Sequence, residues 1–588
     1  MFKRLLTFFD TLRRTLGALF MIAIIGVLGA TLLSSRPTLP DSALLVLDPA
    51  GDIVEELELA DTFPPDFSAA GQSRLEDIVQ VLRAAKDDKR IIGLLLDLRD
   101  MDQASLPALQ TLGREIDAFR ESGKHVSAYA DNYTQTQYLL SAHADELWLH
   151  PMGMVLLTGL SSYRNYFADA LERMHVGIHL FRAGSYKSAA EPLVRNDMSA
   201  AAREETQAVL DQLWAAFKQD IADARKLEPQ ALQTMLDDPK AAIAQYAGNP
   251  AALALGMHLV DRIGTRGEWL LSGERTDADQ IGFKQYLNSL PSGDSEGSGA
   301  KVGILTASGM ITDGELSAGG LNGEDFAGLV DMAIEDASIK AVVLRIDSPG
   351  GSVQASETMR RALARLKENN KPLVVSMGGM AASGGYWIAA EADEIWTAPT
   401  TLTGSIGVFG VFPNVSGGLE SLGVHSDGVG TTAVAGGMRP DRPLPQAVAD
   451  VLQAGVDHVY TAFTGIVARG RNMPAEKVAQ LAEGRVWTGA DAVRLGLADQ
   501  LGDLHEAVSA AAKRAGLEDD YGIRHVRVKP TLRERLMQQF MGEAQAMVRS
   551  SSLVQIAAMN PGLQSAANWL RILQSQGGIY ALSEFSPR

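Results

Sequence analysis

Ile91-Ile92-Gly93-Leu94-Leu95-Leu96-Asp97-Leu98 and, in the second half of the chain, Ile339-Lys340-Ala341-Val342-Val343-Leu344-Arg345-Ile346-Asp347 are short, nearly unbroken apolar runs. That is the pattern of a parallel strand covered on both faces. Outward from the first run, Ala43 to Asp48 reads as another strand and Arg74 to Lys86 has the apolar spacing of an amphipathic helix. Strands alternating with helices predict an α/β fold of parallel strands and crossover connections. The two runs are not the only matching texts. Ala144-Asp145-Glu146-Leu147-Trp148 answers Ala392-Asp393-Glu394-Ile395-Trp396, each with a lysine before it (Lys124, Lys371) and a proline after it (Pro151, Pro399). Leu255 to Gly264 answers Leu495 to Gly502, and long helical patterns at Ala200 to Leu227 and Pro445 to Arg469 fall at equivalent places. Correspondences in the same order predict a tandem repeat. The expected domains are 43–285 and 301–528, joined by a linker at 286–300 that holds the Gly/Ser-rich Pro291 to Gly299 and followed by a helical tail at 529–588.

Before the first domain, Leu16 to Ser35 carries no charge, long enough to cross a hydrocarbon layer of about 30 Å as a helix. Lys3, Arg4, Arg13 and Arg14 precede it and Asp41, Asp48 and Asp52 follow, so residues 1–15 are expected in the cytoplasm, 16–35 as a single anchor and the remainder exported. The run exceeds a usual signal-peptide core and no clear small-residue cleavage site follows it. A formal charge of −18 repels phosphate backbones, and no basic patch offsets it, so nucleic acid is not an expected partner. The absence of cysteine excludes thiol nucleophiles, Cys-ligated zinc, iron–sulfur clusters and disulfides.

The chemistry gathers where strands of the second half end in glycine. Asp347-Ser348-Pro349-Gly350-Gly351-Ser352 follows a buried strand, and Gly350 and Gly351 allow backbone N–H groups to converge as an oxyanion hole requires, although Pro-Gly is also an ordinary turn signal. Met377 to Tyr386 contains Ser383 among small residues, which fit close packing of a helix on the sheet better than a nucleophile. Thr403-Gly404-Ser405-Ile406-Gly407 holds a serine tightly between glycines on an otherwise strand-like segment, which makes Ser405 the expected nucleophile. No histidine lies near these clusters in sequence. A lysine can serve as base if burial lowers its pKa, and Lys187, in Gly184-Ser185-Tyr186-Lys187-Ser188-Ala189-Ala190-Glu191-Pro192, is the candidate; taken alone it reads as a surface cation.

Together these segments resemble the signal peptide peptidase A (protease IV) family in its long, two-domain, membrane-anchored form. The resemblance runs to about Leu517 and rests on the motifs around Lys187, Ser348 to Ser352, Gly378 to Tyr386 and Thr403 to Gly407. It implies two ClpP/crotonase-like spiral βαβ domains, Ser405 as nucleophile with Lys187 as general base, Gly350 and Gly351 at the oxyanion hole, and no metal or organic cofactor. The implied substrates are signal-peptide remnants and other short hydrophobic peptides, bound as strands beside the segment of Ser405. The implied setting is the periplasmic side of a bacterial inner membrane, with lipid around the anchor and a ring- or dome-shaped homotetramer. In the first half, Thr158-Gly159-Leu160 stands where Thr403-Gly404-Ser405 stands in the second, and no Gly-Gly follows Asp100, so that half lacks a serine site of its own. A soluble acyl-CoA enzyme of the same fold would have no use for the Ser/Lys pair; a catalytically silent ring-forming membrane scaffold is the remaining alternative.

Overall fold

The computed structural model describes residues 39–57, 71–273, 278–290, 299–313, 320–517, 521–527 and 579–583. The expected anchor at 16–35, most of the linker and most of the tail lie outside the described residues. Among the described residues no helix is long and apolar enough to cross a membrane.

In the first half, β1 (Ala43–Leu47), β2 (Ile91–Leu96), β3 (His125–Ala130) and β4 (Glu146–Leu149) pair in parallel. β5 (Gly177–Ala183) leaves this sheet, and β6 (Arg262–Ile263) and β7 (Asp279–Gly282) return to it, giving the order β7-β1-β2-β3-β4-β6. The second half contains β8 (Lys301–Ser308), β9 (Met310–Thr312), β10 (Ile339–Ser348), β11 (Gly350–Ser352), β12 (Leu373–Ala382), β13 (Glu394–Thr397), β14 (Leu402–Gly404), β15 (Val408–Asn414), β16 (Val486–Thr488), β17 (Gln500–Leu501), β18 (Gly522–His525) and β19 (Ile579–Leu582). Its main sheet runs β16-β14-β12-β10-β8-β18, with β13 on β12 and β17 on β13. The series β18-β8-β10-β12-β13-β17 thus repeats the spatial order of the first sheet.

The repeat extends to single hydrogen bonds, which explains why it could be read in the sequence. Lys124 Nζ donates to the carbonyls of Ala85 and Asp88 at the end of one helix; Lys371 Nζ donates to those of Ala333, Ile334 and Asp336 at the end of its counterpart. Both lysines neutralise orphan C-terminal carbonyls. Tyr138 Oη donates to Leu259 O and Tyr386 Oη to Leu497 O, each at 2.8 Å. Asp261 accepts from Leu147 N and pairs with Arg225, as Asp499 accepts from Ile395 N and pairs with Arg471. The apolar runs are core: Leu94, Leu96, Val342 and Leu344 are fully buried.

Several contacts join the halves, two of them extensive. A second sheet of the C-terminal half runs Gly320–Asn322, β9, β11, β19, β15 and finally β5, which comes from the first half and pairs antiparallel with β15 from Gly177↔Asn414 to Ala183↔Val408. Elsewhere Glu55 receives both Nε and Nη2 of the buried Arg345, whose Nη1 donates to Ser376 Oγ at 2.8 Å. The long helices α1 (Ala200–Arg225) and α3 (Gln446–Gly470) flank the junction, with the short α2 (Gly384–Ala389) between them in sequence. The tail was expected to be helical; its described part, β19, is instead a strand, because the edges of β11 and β15 give its backbone hydrogen-bonding partners on both sides.

Candidate active site

Lys187 follows directly from β5, so the pairing of β5 with β15 carries a first-half residue into the second half. Tyr186 N donates to Glu483 O at 2.8 Å, and both the N–H and the hydroxyl of Ser185 donate to Glu483 Oε2. Gly484, at φ +80°, sits where a Cβ would lie 2.6 Å from Lys187 N; only glycine lets this loop close over the lysine. The side chain is 2 % exposed. Burial holds its pKa down to about 7, and the neighbouring Glu205 partly counters the fall.

Lys187 Nζ meets three oxygens: Ser383 Oγ at 2.6 Å, Ser405 O at 2.9 Å and Ser405 Oγ at 3.0 Å. The structure therefore brings Lys187 and Ser405 together within one chain. It also adds Ser383, which packing considerations had consigned to the sheet–helix contact. Ser383 sits at the turn from β12 into α2 with φ 55° and ψ −113°, a conformation costly for a residue with a side chain. Its hydroxyl caps no helical N–H. The turn is fixed by Ser383 N donating to Gly404 O at 2.8 Å and by Trp387 N donating to Ser383 O. The signal in the sequence was the Ser383-Gly384-Gly385 strand-to-helix junction, a setting in which a serine can be presented on a strained elbow. Ser405, also at positive φ (51°), has its N–H tied to Arg485 O at 2.7 Å.

The Gly-Gly turn lies against α2: a Cβ on Gly385 would stand 2.8 Å from Ser348 O. Gly351 has φ +156°, and a Cβ there would fall 1.9 Å from Ile311 O, so any side chain would push the turn and β9 apart. Of the two expected oxyanion donors, Gly350 already donates its N–H to Ser348 Oγ at 3.1 Å. Asp347, which a negative charge would make unwelcome beside an oxyanion, turns into the β10–β12 seam and accepts from Met380 N at 2.9 Å. Burial and the proximity of Glu55 push its carboxyl pKa upward.

β19 lies between β11 and β15, antiparallel to both, with Gly351 opposite Ala581 and Phe409 opposite Tyr580. Ser583 N continues the ladder to Pro349 O at 2.8 Å. On the far side of the lysine a narrow crevice is lined by Arg164, Tyr186, Lys187, Glu205, Ser405 and Ser583, among others.

A buried lysine near neutrality against two serine hydroxyls, beside a glycine turn, has the parts of an acyl-transfer site. Comparison with known proteins agrees. The family model for Peptidase family S49 matches residues 118–276 and 365–518. Protease 4 of Salmonella typhi is 38% identical over 515 residues, covering 85% of this chain and 81% of the relative. Protease 4 of Haemophilus influenzae is 39% identical over 461 residues, covering 77% and 75%. The chloroplastic serine protease SPPA of Arabidopsis thaliana is 28% identical over 442 residues, covering 73% and 64%. With both repeats matched, the chain belongs to peptidase family S49, and it is a serine-type peptidase.

Proposed function

We propose that the protein is a membrane-anchored endopeptidase that uses Lys187 as general base and digests signal-peptide remnants and other short hydrophobic peptides. The observation that carries this reading is the buried Lys187 Nζ, 2.6 Å from one serine hydroxyl and 3.0 Å from another. A neutral amine has two N–H donors and one lone pair. Ser405 O can only accept, so it takes one N–H; of the two hydroxyls, one takes the other N–H and the second gives its proton to the lone pair. The shorter contact, the strained elbow and the neighbouring Gly-Gly turn favour Ser383 as the hydroxyl that gives its proton and attacks. Ser405, holding the amine through both its carbonyl and its hydroxyl, then orients the base. This exchanges the roles expected from the sequence, in which Ser405 was the nucleophile.

In the proposed sequence of events, Ser383 Oγ passes its proton to Lys187 and bonds to the scissile carbonyl carbon. The Gly351 N–H is the turn's remaining candidate to hold the oxyanion. Lysinium protonates the leaving amine, and a water activated by the same lysine releases the acyl group. No step calls for a metal or cofactor. The position of β19 supports substrates bound as an added strand between β11 and β15. The charge-flanked apolar run at 16–35 supports an anchor with the catalytic halves on the periplasmic side, where such peptides are left after export. Assembly into a homotetrameric ring remains part of this proposal on the strength of the family resemblance alone.

The test is labelling with a fluorophosphonate, mapped by mass spectrometry, alongside hydrolysis of a leucine-rich fluorogenic peptide. Label on Ser383, lost with hydrolysis in Ser383→Ala and in Lys187→Ala, is expected; Ser405→Ala should keep the label and slow hydrolysis about 10- to 100-fold. Label on Ser405 would restore the sequence assignment, and absence of label and hydrolysis from the folded protein would favour the silent scaffold.

A further inference from the structure

Glu205 is a buried carboxyl that the steps above do not use. It lies on α1, is 3 % exposed, and lines the same narrow crevice as Lys187 and Ser405. Oε1 accepts from the backbone N–H of Val486, on the strand paired with the one that ends just before Ser405. No hydrogen bond joins it to Lys187, whose nitrogen is already engaged by Ser383 and Ser405. Its influence must therefore act across the crevice, where low polarity strengthens charge–charge interaction.

We infer that Glu205 is the charge partner of Lys187: a positioning residue whose carboxylate, held by Val486 N–H, stabilises the lysinium that forms each time a proton is taken from the attacking serine. The inference rests on the reading of Lys187 as general base. It assigns Glu205 the part that a buried aspartate plays toward histidine in a triad, performed through space.

The other charges around the pair fit this role. Arg485 lies over the rings of Tyr186 and Trp487, 5.0 and 4.8 Å from their centroids, and is 3.8 Å from Glu204, which takes up part of its charge. Burial raises the pKa of Glu205 to about 7, while the Val486 N–H, Arg485, Lys187 and Arg164 favour its ionised form. Glu483 is engaged by Ser185 and by Tyr460, and Glu191 by Ser199 N and Arg182. Burial lowers the proton affinity of Lys187, and Glu205 raises it in return. Base and partner both titrate near pH 7, so the two protonation steps belong to the pair rather than to either residue.

The sign of the effect follows. An anion beside lysinium holds its proton on, so removing the anion lets the neutral amine appear at lower pH, but as a weaker base. For Glu205→Gln, which keeps an oxygen for Val486 N–H, the acid limb of kcat/KM should move down by about one pH unit and the plateau fall about three- to tenfold. Glu205→Asp keeps the charge and loses reach, so its limb should stay within a few tenths of a unit of wild type even if its melting temperature falls. The experiment is peptide hydrolysis by the full chain from about pH 5 to 9, with thermal melting to confirm folding and Lys187→Ala beside it. A purely structural glutamate would lower the plateau and leave the limb in place, which would overturn the inference. So would a Glu205→Asp limb shifted downward by about one unit, a result that decides the matter even if Glu205→Gln does not fold. If Lys187→Ala keeps wild-type rate and limb, the general-base reading fails, and this inference with it. If Lys187→Ala is inactive while Glu205→Gln leaves the limb unmoved, only the role of Glu205 is lost.

Discussion

Replacing Lys187 by methionine should abolish hydrolysis and, at mildly acid pH, make the protein more stable. The ordinary lysine pKa of 10.5 falls to about 7 in the folded protein because burial disfavours the charged form. At about 1.4 kcal/mol per tenfold change in proton affinity, that fall corresponds to about 5 kcal/mol of strain when the lysine is protonated. Methionine removes this strain and fills similar space. It also loses the contacts to Ser383 Oγ, Ser405 O and Ser405 Oγ, at about 1 kcal/mol each, leaving a net gain of about 2 kcal/mol, or a few degrees in melting temperature. The gain depends on pH with a definite sign. Between about pH 7 and 10 the unfolded lysine holds a proton that the folded one has released, so the stability of the wild type rises with pH across that window. The advantage of Lys187→Met should therefore be largest near pH 6 and vanish or reverse by about pH 10. The assay is thermal melting of both proteins at matched pH values, comparing only the difference between them. A Lys187→Met protein destabilised by the same amount at both ends would refute the claim that the base is held against its own charge.

Glu55→Gln leaves the buried Arg345 guanidinium without its carboxylate from the other half, and should destabilise the chain by about 3 kcal/mol, measured by thermal or denaturant unfolding. Gly351→Ala drives a methyl group toward Ile311 O, 1.9 Å from the ideal Cβ; hydrolysis should fall about 100-fold or more while fluorescence and circular dichroism report a folded protein. Removal of residues 579–588 takes β19 from between β11 and β15 and should quicken fluorophosphonate labelling several-fold, whereas an unchanged rate would separate that slot from the reacting serine.

The sequence reached the repeat because its signals are local. A buried parallel strand must be apolar throughout, a lysine must neutralise helix-end carbonyls, and an aspartate must receive an N–H of the neighbouring strand; each leaves the same text in both halves, as at Lys124 and Lys371 or Asp261 and Asp499. The glycine turn was legible only as one of two readings, and Lys187, which alone reads as a surface cation, was singled out by family resemblance. The division between the two serines was not. Ser383 and Ser405 both sit among small residues at strand ends, and no local pattern says which hydroxyl donates to the lone pair of an amine that arrives from the other half of the chain. The arrival of that amine depends on the pairing of β5 with β15 and on Gly484 closing over Lys187, contacts between segments far apart in sequence. Glu205 was hidden more deeply, since a glutamate on a long amphipathic helix reads as solvated until another strand covers it. The strand character of Ile579–Leu582 is likewise a property of the edges it meets. Composition and periodicity determine which elements form and what chemistry they carry; burial, and with it the pKa of a lysine, exists only once those elements have packed.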